Sequence, residues 1–188
     1  MKPIIKEPNI VLHKRAIEIN VLDIPSRKIQ RIIQEMRDVL CNTADGIGIA
    51  APQIGYSLRI FLASQEALRW KNTAPAGDAH LGEEMKDEKK KEWEYYVFIN
   101  PIITKTARKK VSEIEGCLSV PGMYGTVMRS EKVTVEAYNE KGEKFTRGTS
   151  GLYAKVMQHE IDHLDGILFI EKAKNLRKAE SVKNKTES

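Results

Sequence analysis

Cysteine is scarce in this chain: Cys41 and Cys117 are the only two in 188 residues. That count excludes a disulfide framework, and in a reducing compartment a ligand or a buried thiol is the better reading of each. Long apolar runs are missing too. No stretch of 18 apolar residues exists, so no segment is long enough to span a bilayer as a helix. The opening residues, Met1-Lys2-Pro3-Ile4-Ile5-Lys6-Glu7-Pro8, hold no apolar signal segment and are too acidic and short of Arg for a transit peptide. A cytosolic protein with no membrane partner is expected. No internal repeat is visible, and 188 residues suit one domain around one core.

Aromatic residues are absent from the tail, which weakens a nucleic-acid reading of the net charge of +5. Residues 171–188 carry six Lys or Arg against three Glu, yet offer no ring on which a base could stack. The expectation is a solvated, partly helical or frayed terminus. Weak attraction to something acidic, such as ribosomal RNA, is the alternative, and no specific DNA partner is implied.

What is present is ordered around two helices. Residues 24–43 read as an amphipathic helix with Ser26 as N-cap and Ile29, Ile32, Ile33, Met36, Val39 and Leu40 on one face. Cys41 closes it and reads as a small buried hydrophobe. Strand-like runs come next, at 58–63, 95–100 and 102–106, the last two separated by Pro101. Residues 132–138 alternate cleanly, and Asn139-Glu140-Lys141-Gly142 reads as a hairpin turn into Lys144-Phe145-Thr146. A second helix runs from Ser150 to about Leu164, with Gly166 as its stop. Between Trp70 and Glu94 periodicity dissolves. Residues 83–94 hold six acidic and four Lys side chains, so this reads as a surface insertion rather than a second domain.

The chemistry concentrates in that second helix, where Gln158-His159-Glu160-Ile161-Asp162-His163 contains H-E-x-x-H. Two His four residues apart lie about 40° apart around a helix and about 6 Å apart along it, so both can reach one cation. Glu160, about 100° round from His159, can reach water beside that cation. Leu152, Val156, His159, His163 and Ile167 share one stripe, which sets the motif in an apolar wall. Cys117, in Glu115-Gly116-Cys117-Leu118-Ser119, is the candidate third ligand; a thiolate, two imidazoles and a water make an open, catalytic type of site. The third element, Gly46-Ile47-Gly48-Ile49-Ala50-Ala51-Pro52-Gln53, satisfies a loose dinucleotide fingerprint. A helix rather than a strand precedes it, however, and Pro52 prevents the long helix that should come after it. A Gly/Ala loop against an extended ligand, with Gln53 offering an amide donor, is the alternative.

Together the three motifs resemble the peptide deformylase family, which is marked in this order by G-x-G-[LI]-A-A-x-Q, E-G-C-L-S and Q-H-E-x-D-H-L. The resemblance spans nearly the whole domain, residues 1–170, with the insertion at 70–94 longer than in compact members. It implies an α+β fold, with antiparallel sheets around the central helix that carries H-E-x-x-H. It further implies removal of the N-formyl group from formyl-methionyl nascent polypeptides, with release of formate, in a bacterial-type cytoplasm. Cys117, His159 and His163 would hold one divalent metal, commonly Fe²⁺ in cells, with Zn²⁺, Ni²⁺ or Co²⁺ able to substitute; the ligand set alone points to zinc first. Glu160 would be general base and then acid, while Gln53 and the Leu118 N–H would hold the oxyanion. Backbone groups of Ile47, Gly48 and Gly116 would pair with the peptide. Leu152 and Val156, on the metal face, are candidates for its methionine pocket. Ile49 replaces the usual Leu, and Tyr124 stands where some members place Arg, against the substrate backbone. A zincin-type endopeptidase shares H-E-x-x-H, but takes its third ligand from Glu or His. A non-catalytic, ribosome-associated relative would be expected to lack a ligand or Glu160.

Overall fold

The computed structural model describes residues 1–43, 46–65 and 94–179. The insertion expected at 70–94 therefore lies outside the described residues, except for Glu94. Helix α1, Arg27–Cys41, begins three residues later than expected, because Ser26 is the cap: its hydroxyl accepts from the Ile29 N–H at 3.5 Å. Ile24 precedes it in a 3₁₀ turn's cap position. The helix ends where Asn42 and Thr43 turn their side chains back on the carbonyls of Asp38 and Val39, at 2.7 and 2.8 Å. Cys41 is exposed rather than buried. The reason is helical phase: Val39 and Leu40 fill the core-facing positions, and the next residue turns about 100° away.

Five antiparallel strands form the main sheet, in the order β1 (Gly48–Ala50), β2 (Ile60–Ser64), β3 (Tyr95–Thr106), β6 (Lys132–Tyr138), β7 (Lys144–Ser150). Strand β2 is buried along its whole length because both faces of the sheet are covered. Ile60 and Leu62, with Val97 and Ile99 of β3, pack against the apolar face of α1. Phe61, Phe98, Val133, Val135 and Ala137 point the other way, toward the second long helix, α2 (Gly151–Leu164). Phe61 and Phe98 are register partners and stack at 4.5 Å between ring centroids.

The two runs read as separate strands around Pro101 are one strand. Its register slips between Ile99 and Ile102, and Asn100 there adopts a positive φ of 49°. An irregularity accommodates the proline that cannot donate to the ladder. The Asn100 amide replaces lost pairing by bonding both the N–H and the carbonyl of Ile19, at 2.9 and 2.7 Å. The β6–β7 hairpin forms as expected around Asn139, whose Oδ1 accepts from the N–H groups of Lys141 and Glu143 at 2.9 Å each.

A second, three-stranded antiparallel sheet combines β4 (Lys110–Cys117), β5 (Val120–Ser130) and β8 (Lys174–Lys178). Strand β8 lies in the stretch expected to be solvated, partly helical or frayed, where no strand was expected. Its side chains are all exposed, but its backbone pairs with β5 after a short helix, α3 (Phe169–Lys172), whose Phe169 is anchored in the core. The expected domain end at Ile170 falls inside α3, and β8 extends the fold beyond it. Polar side chains hid this strand, since backbone pairing on a sheet edge needs no apolar pattern.

Helix α2 lies between the two sheets. Gln158 clasps Ser130 at the end of β5 with two bonds, accepting from its N–H at 3.0 Å and donating to its carbonyl at 2.9 Å. Gly166 ends this part of the chain with φ of 76°; a Cβ there would lie 2.7 Å from the carbonyl carbon of His13. Among the described residues, no helix is long and apolar enough to cross a membrane.

Candidate active site

Each of the three motifs ends an element and delivers one piece of chemistry to the same place. Strand β1 leads directly into a four-residue 3₁₀ turn, Ala51–Ile54, too short for the helix that a dinucleotide fingerprint requires. Within it Gln53 is almost fully buried, and its Oε1 accepts from the Ala50 N–H at 2.8 Å. That bond aims the amide nitrogen outward. It donates to Ser119 Oγ at 3.1 Å and faces Cys117 Sγ at 3.6 Å.

Cys117 ends β4 just after a register slip between Glu115 and Cys117. Its sulfur lies 3.2 Å from His163 Nε2 and accepts from the Ser119 N–H at 3.4 Å. Leu118 occupies the turn between β4 and β5. On α2, the His159 and His163 rings meet edge to face at 4.9 Å, as the i, i+4 spacing demands. One ligand atom from each of Cys117, His159 and His163 lies within 4.8 Å of the others. Soft sulfur plus two imidazoles suits a transition metal such as zinc or ferrous iron, so the residues present fit such an ion.

Glu160, next to His159 on α2, is buried and lies against β1. Its Oε2 is buried without a hydrogen-bond partner among the described residues. Burial pushes the carboxyl up to about 7, against the pull of His159. The β1 backbone makes room for it: a Cβ on Gly48 would lie 2.6 Å from Glu160 Oε1. Gly48 is therefore required for the carboxylate to lie against β1.

Behind His159 lies a buried ionic network that spacing rules did not reveal. His159 Nδ1 donates to Glu115 Oε2 at 2.9 Å, and Arg129 holds both Glu115 oxygens from Nε and Nη2 at 2.8 and 2.9 Å. Arg129 also reaches Asp162, whose second oxygen accepts from Lys172 at 2.6 Å. Burial alone would raise Glu115, but Arg129 and His159 outweigh it and hold the carboxyl at about 2. His159 is opposed by its own burial, yet its bonds to Cys117 and Glu115 carry it up to about 10. His163, buried beside a charged His159, is pushed well below the ordinary range. The carboxylate orients the ring so that its other nitrogen faces the ligand centre. Glu115 and Asp162 stand inside the motifs, which was the available signal. Arg129 stands in none, and only the β4–β5 pairing brings it near.

The remaining expected residues divide. Ile47, Leu152 and Val156 join the same apolar cluster between sheet and α2. The Gly48 backbone faces the open edge of β1: Ala50 N–H turns from β2 to Gln53, and Gly48 shares its side by alternation. The Ile47 carbonyl, in contrast, already accepts from Ser64 N–H at 2.8 Å. Gly116 is overlaid by the Tyr124 ring, so close that a Cβ would lie 2.9 Å from Cε1.

Comparison with known proteins points to one family. The family profile described as polypeptide deformylase matches residues 1–179. The chain is 36% identical over 170 residues to a peptide deformylase of Natranaerobius thermophilus, covering 90% of each. It is 37% identical over 162 residues to the chloroplastic/mitochondrial peptide deformylase 1A of Arabidopsis thaliana, covering 86% of this chain and 57% of the plant protein. Among solved structures, a peptide deformylase from Legionella pneumophila superposes with a TM-score of 0.72 at 34% identity, covering 93% of this chain and 87% of that one.

Proposed function

The chain belongs to the polypeptide deformylase family, metal-dependent enzymes that remove the N-formyl group from nascent peptides, and on that premise we propose how its own residues divide the work. Cys117, His159 and His163 hold one divalent ion, Fe²⁺ in cells, with Zn²⁺, Ni²⁺ or Co²⁺ as substitutes. When bound, the ion supplies Lewis acidity that polarises the formyl carbonyl and acidifies water. Glu160 takes the proton of the attacking water and returns it to the leaving amine, releasing formate and a free amino terminus. A carboxyl pushed up to about 7 suits both halves of that transfer. The Gln53 amide and the Leu118 N–H donate to the oxyanion of the tetrahedral intermediate.

The peptide lies in extended form against the open edge of β1 at Gly48, with the N–H of Ile47, whose carbonyl is already taken by Ser64, and Gly116 as further backbone contacts. Ile47, Leu152 and Val156 offer its methionine side chain an apolar wall beside the reacting carbon. Tyr124, lying over Gly116, meets the peptide residues beyond that methionine. Action on nascent chains implies a bacterial-type cytoplasmic setting, and the exposed Lys174, Arg177 and Lys178 of β8 favour weak, salt-sensitive association with the ribosome.

The observation that carries this reading is the convergence of one cysteine sulfur and two imidazoles within 4.8 Å, on the helix that also buries Glu160 with its Oε2 unpartnered among the described residues. Formyl-Met-Ala peptides assayed against internal peptides, at measured metal content, test it. Release of formate from the formylated peptide alone is expected; cleavage of internal bonds would make the protein an endopeptidase instead.

A further inference from the structure

The two oxyanion donors of the proposed mechanism sit on different sheets. Gln53 lies just past β1 of the five-stranded sheet, and Leu118 lies in the β4–β5 turn of the three-stranded one. One short segment bonds to both. The Ile5 N–H donates to the Gln53 carbonyl at 2.7 Å, and two residues on, the Glu7 N–H donates to the Ser119 carbonyl at 2.9 Å. A spacing of two puts both N–H groups on one side of an extended chain. Gln53 and Ser119 are joined again through their side chains, at 3.1 Å. Backbone and side-chain bonds thus close a ring through Ile5, Gln53, Ser119 and Glu7.

That segment is itself held down. Ile5 packs with Leu12, Val120 and Phe169 in the cluster that also touches Cys117. Glu7 pairs with His13 at 2.9 Å, and His13 lies 3.7 Å from Glu171. A segment held so firmly can transmit position, and an oxyanion site depends on position: a misplacement of about 1 Å costs about 10²-fold in rate.

We propose that Ile5 to Glu7 form a positioning strap that sets the distance between the Gln53 amide and the Leu118 N–H. This rests on the deformylase reading of the site. The strap acts through backbone N–H groups, so Ile5→Pro removes the donor, whereas Ile5→Ala shortens the side chain and keeps it. In Ile5→Pro, kcat falls about 10- to 100-fold below that of Ile5→Ala, with KM and bound zinc matched between the two. Added to Gln53→Ala, Ile5→Pro causes no further loss in kcat, because the donor it positions is already gone. The Gln53 side-chain amide resonances move in Ile5→Pro and stay in place in Ile5→Ala. Equal kcat in the two Ile5 variants, a loss that multiplies with that of Gln53→Ala, or unmoved amide resonances would each overturn the strap. Should Ile5→Pro not fold, Glu7→Pro against Glu7→Ala repeats the comparison at the Ser119 end. The resonances need no turnover, so they report on the strap even if formyl peptides prove not to be the substrate.

Discussion

Helix α1 presents six apolar side chains to one face of the five-stranded sheet, from Ile29 to Leu40. The stripe that α2 turns toward the core is broken by His163 and flanked by Glu160, both buried. Each helix keeps a 3.6-residue period, and each closes a core against the same sheet. The difference is what burial costs. In α1, it removes apolar surface from water and only stabilises. In α2, it leaves a carboxylate oxygen and an imidazole nitrogen without hydrogen-bond partners among the described residues, which costs free energy unless a ligand or water satisfies them. Two of the three candidate ligands lie on the helix that is worse for stability alone.

The sharpest way to break this comparison is Glu160→Gln. It keeps the shape of α2 and all three candidate ligands, so metal content should stay while kcat falls by about 10²–10⁴-fold. Turnover near wild type at full metal loading would remove Glu160 from the mechanism. The same change bears on stability. With a folded pKa raised to about 7, above the unfolded value, the native state binds more protons than the unfolded state between those limits. Stability of the metal-free protein therefore falls as pH rises through that window. Denaturant titrations at pH 5 and pH 8 should show that fall in wild type and a smaller one in the Gln variant.

The counterpart on α1 is Ile33→Ala, at a fully buried position with no part in the chemistry. A loss of about 2–5 kcal/mol in urea unfolding is expected, with zinc affinity of the folded protein unchanged. A large change in affinity would mean that the two faces of the sheet are coupled.

Glu115→Gln tests a smaller effect on the α2 side. The substitution weakens the hold on His159 Nδ1 and, among the described residues, leaves Asp162 as the one charged partner of Arg129. Competition against a chelator should show about 10- to 100-fold weaker zinc binding. Unchanged affinity would reduce the network to a structural brace. The smallest effect belongs to Cys41→Ser at the exposed end of α1, which should leave stability within about 0.5 kcal/mol and metal stoichiometry intact.

Local rules reached far in this chain, and their limit is physical. The 3.6-residue period placed the core faces of α1 and α2, the Ser26 cap located the true start of α1, and the period-two alternation of β6 located a strand. The i, i+4 pair with its intervening Glu, together with Cys117 and Gln53, was legible as chemistry because ligand type and helical spacing are local properties. Cys41 and the strand at 174–178 were missed for the opposite reason. The side of a helix end that meets solvent depends on what packs beside it, and a polar strand exists only if an edge such as β5 is there to receive it.

Sequence by itself therefore determined the two long helices, the hairpin, the motif residues and the family they resemble. Tertiary structure alone decided that Arg129 locks Glu115 behind His159, that Gly48 lies under Glu160, and that Ile5 and Glu7 bond to Gln53 and Ser119. Those pairs are separated by 14 to 112 residues, and no periodicity carries information over such distances. They are fixed by strand register and by the packing of α2 between two sheets, which become defined only when the whole chain has closed.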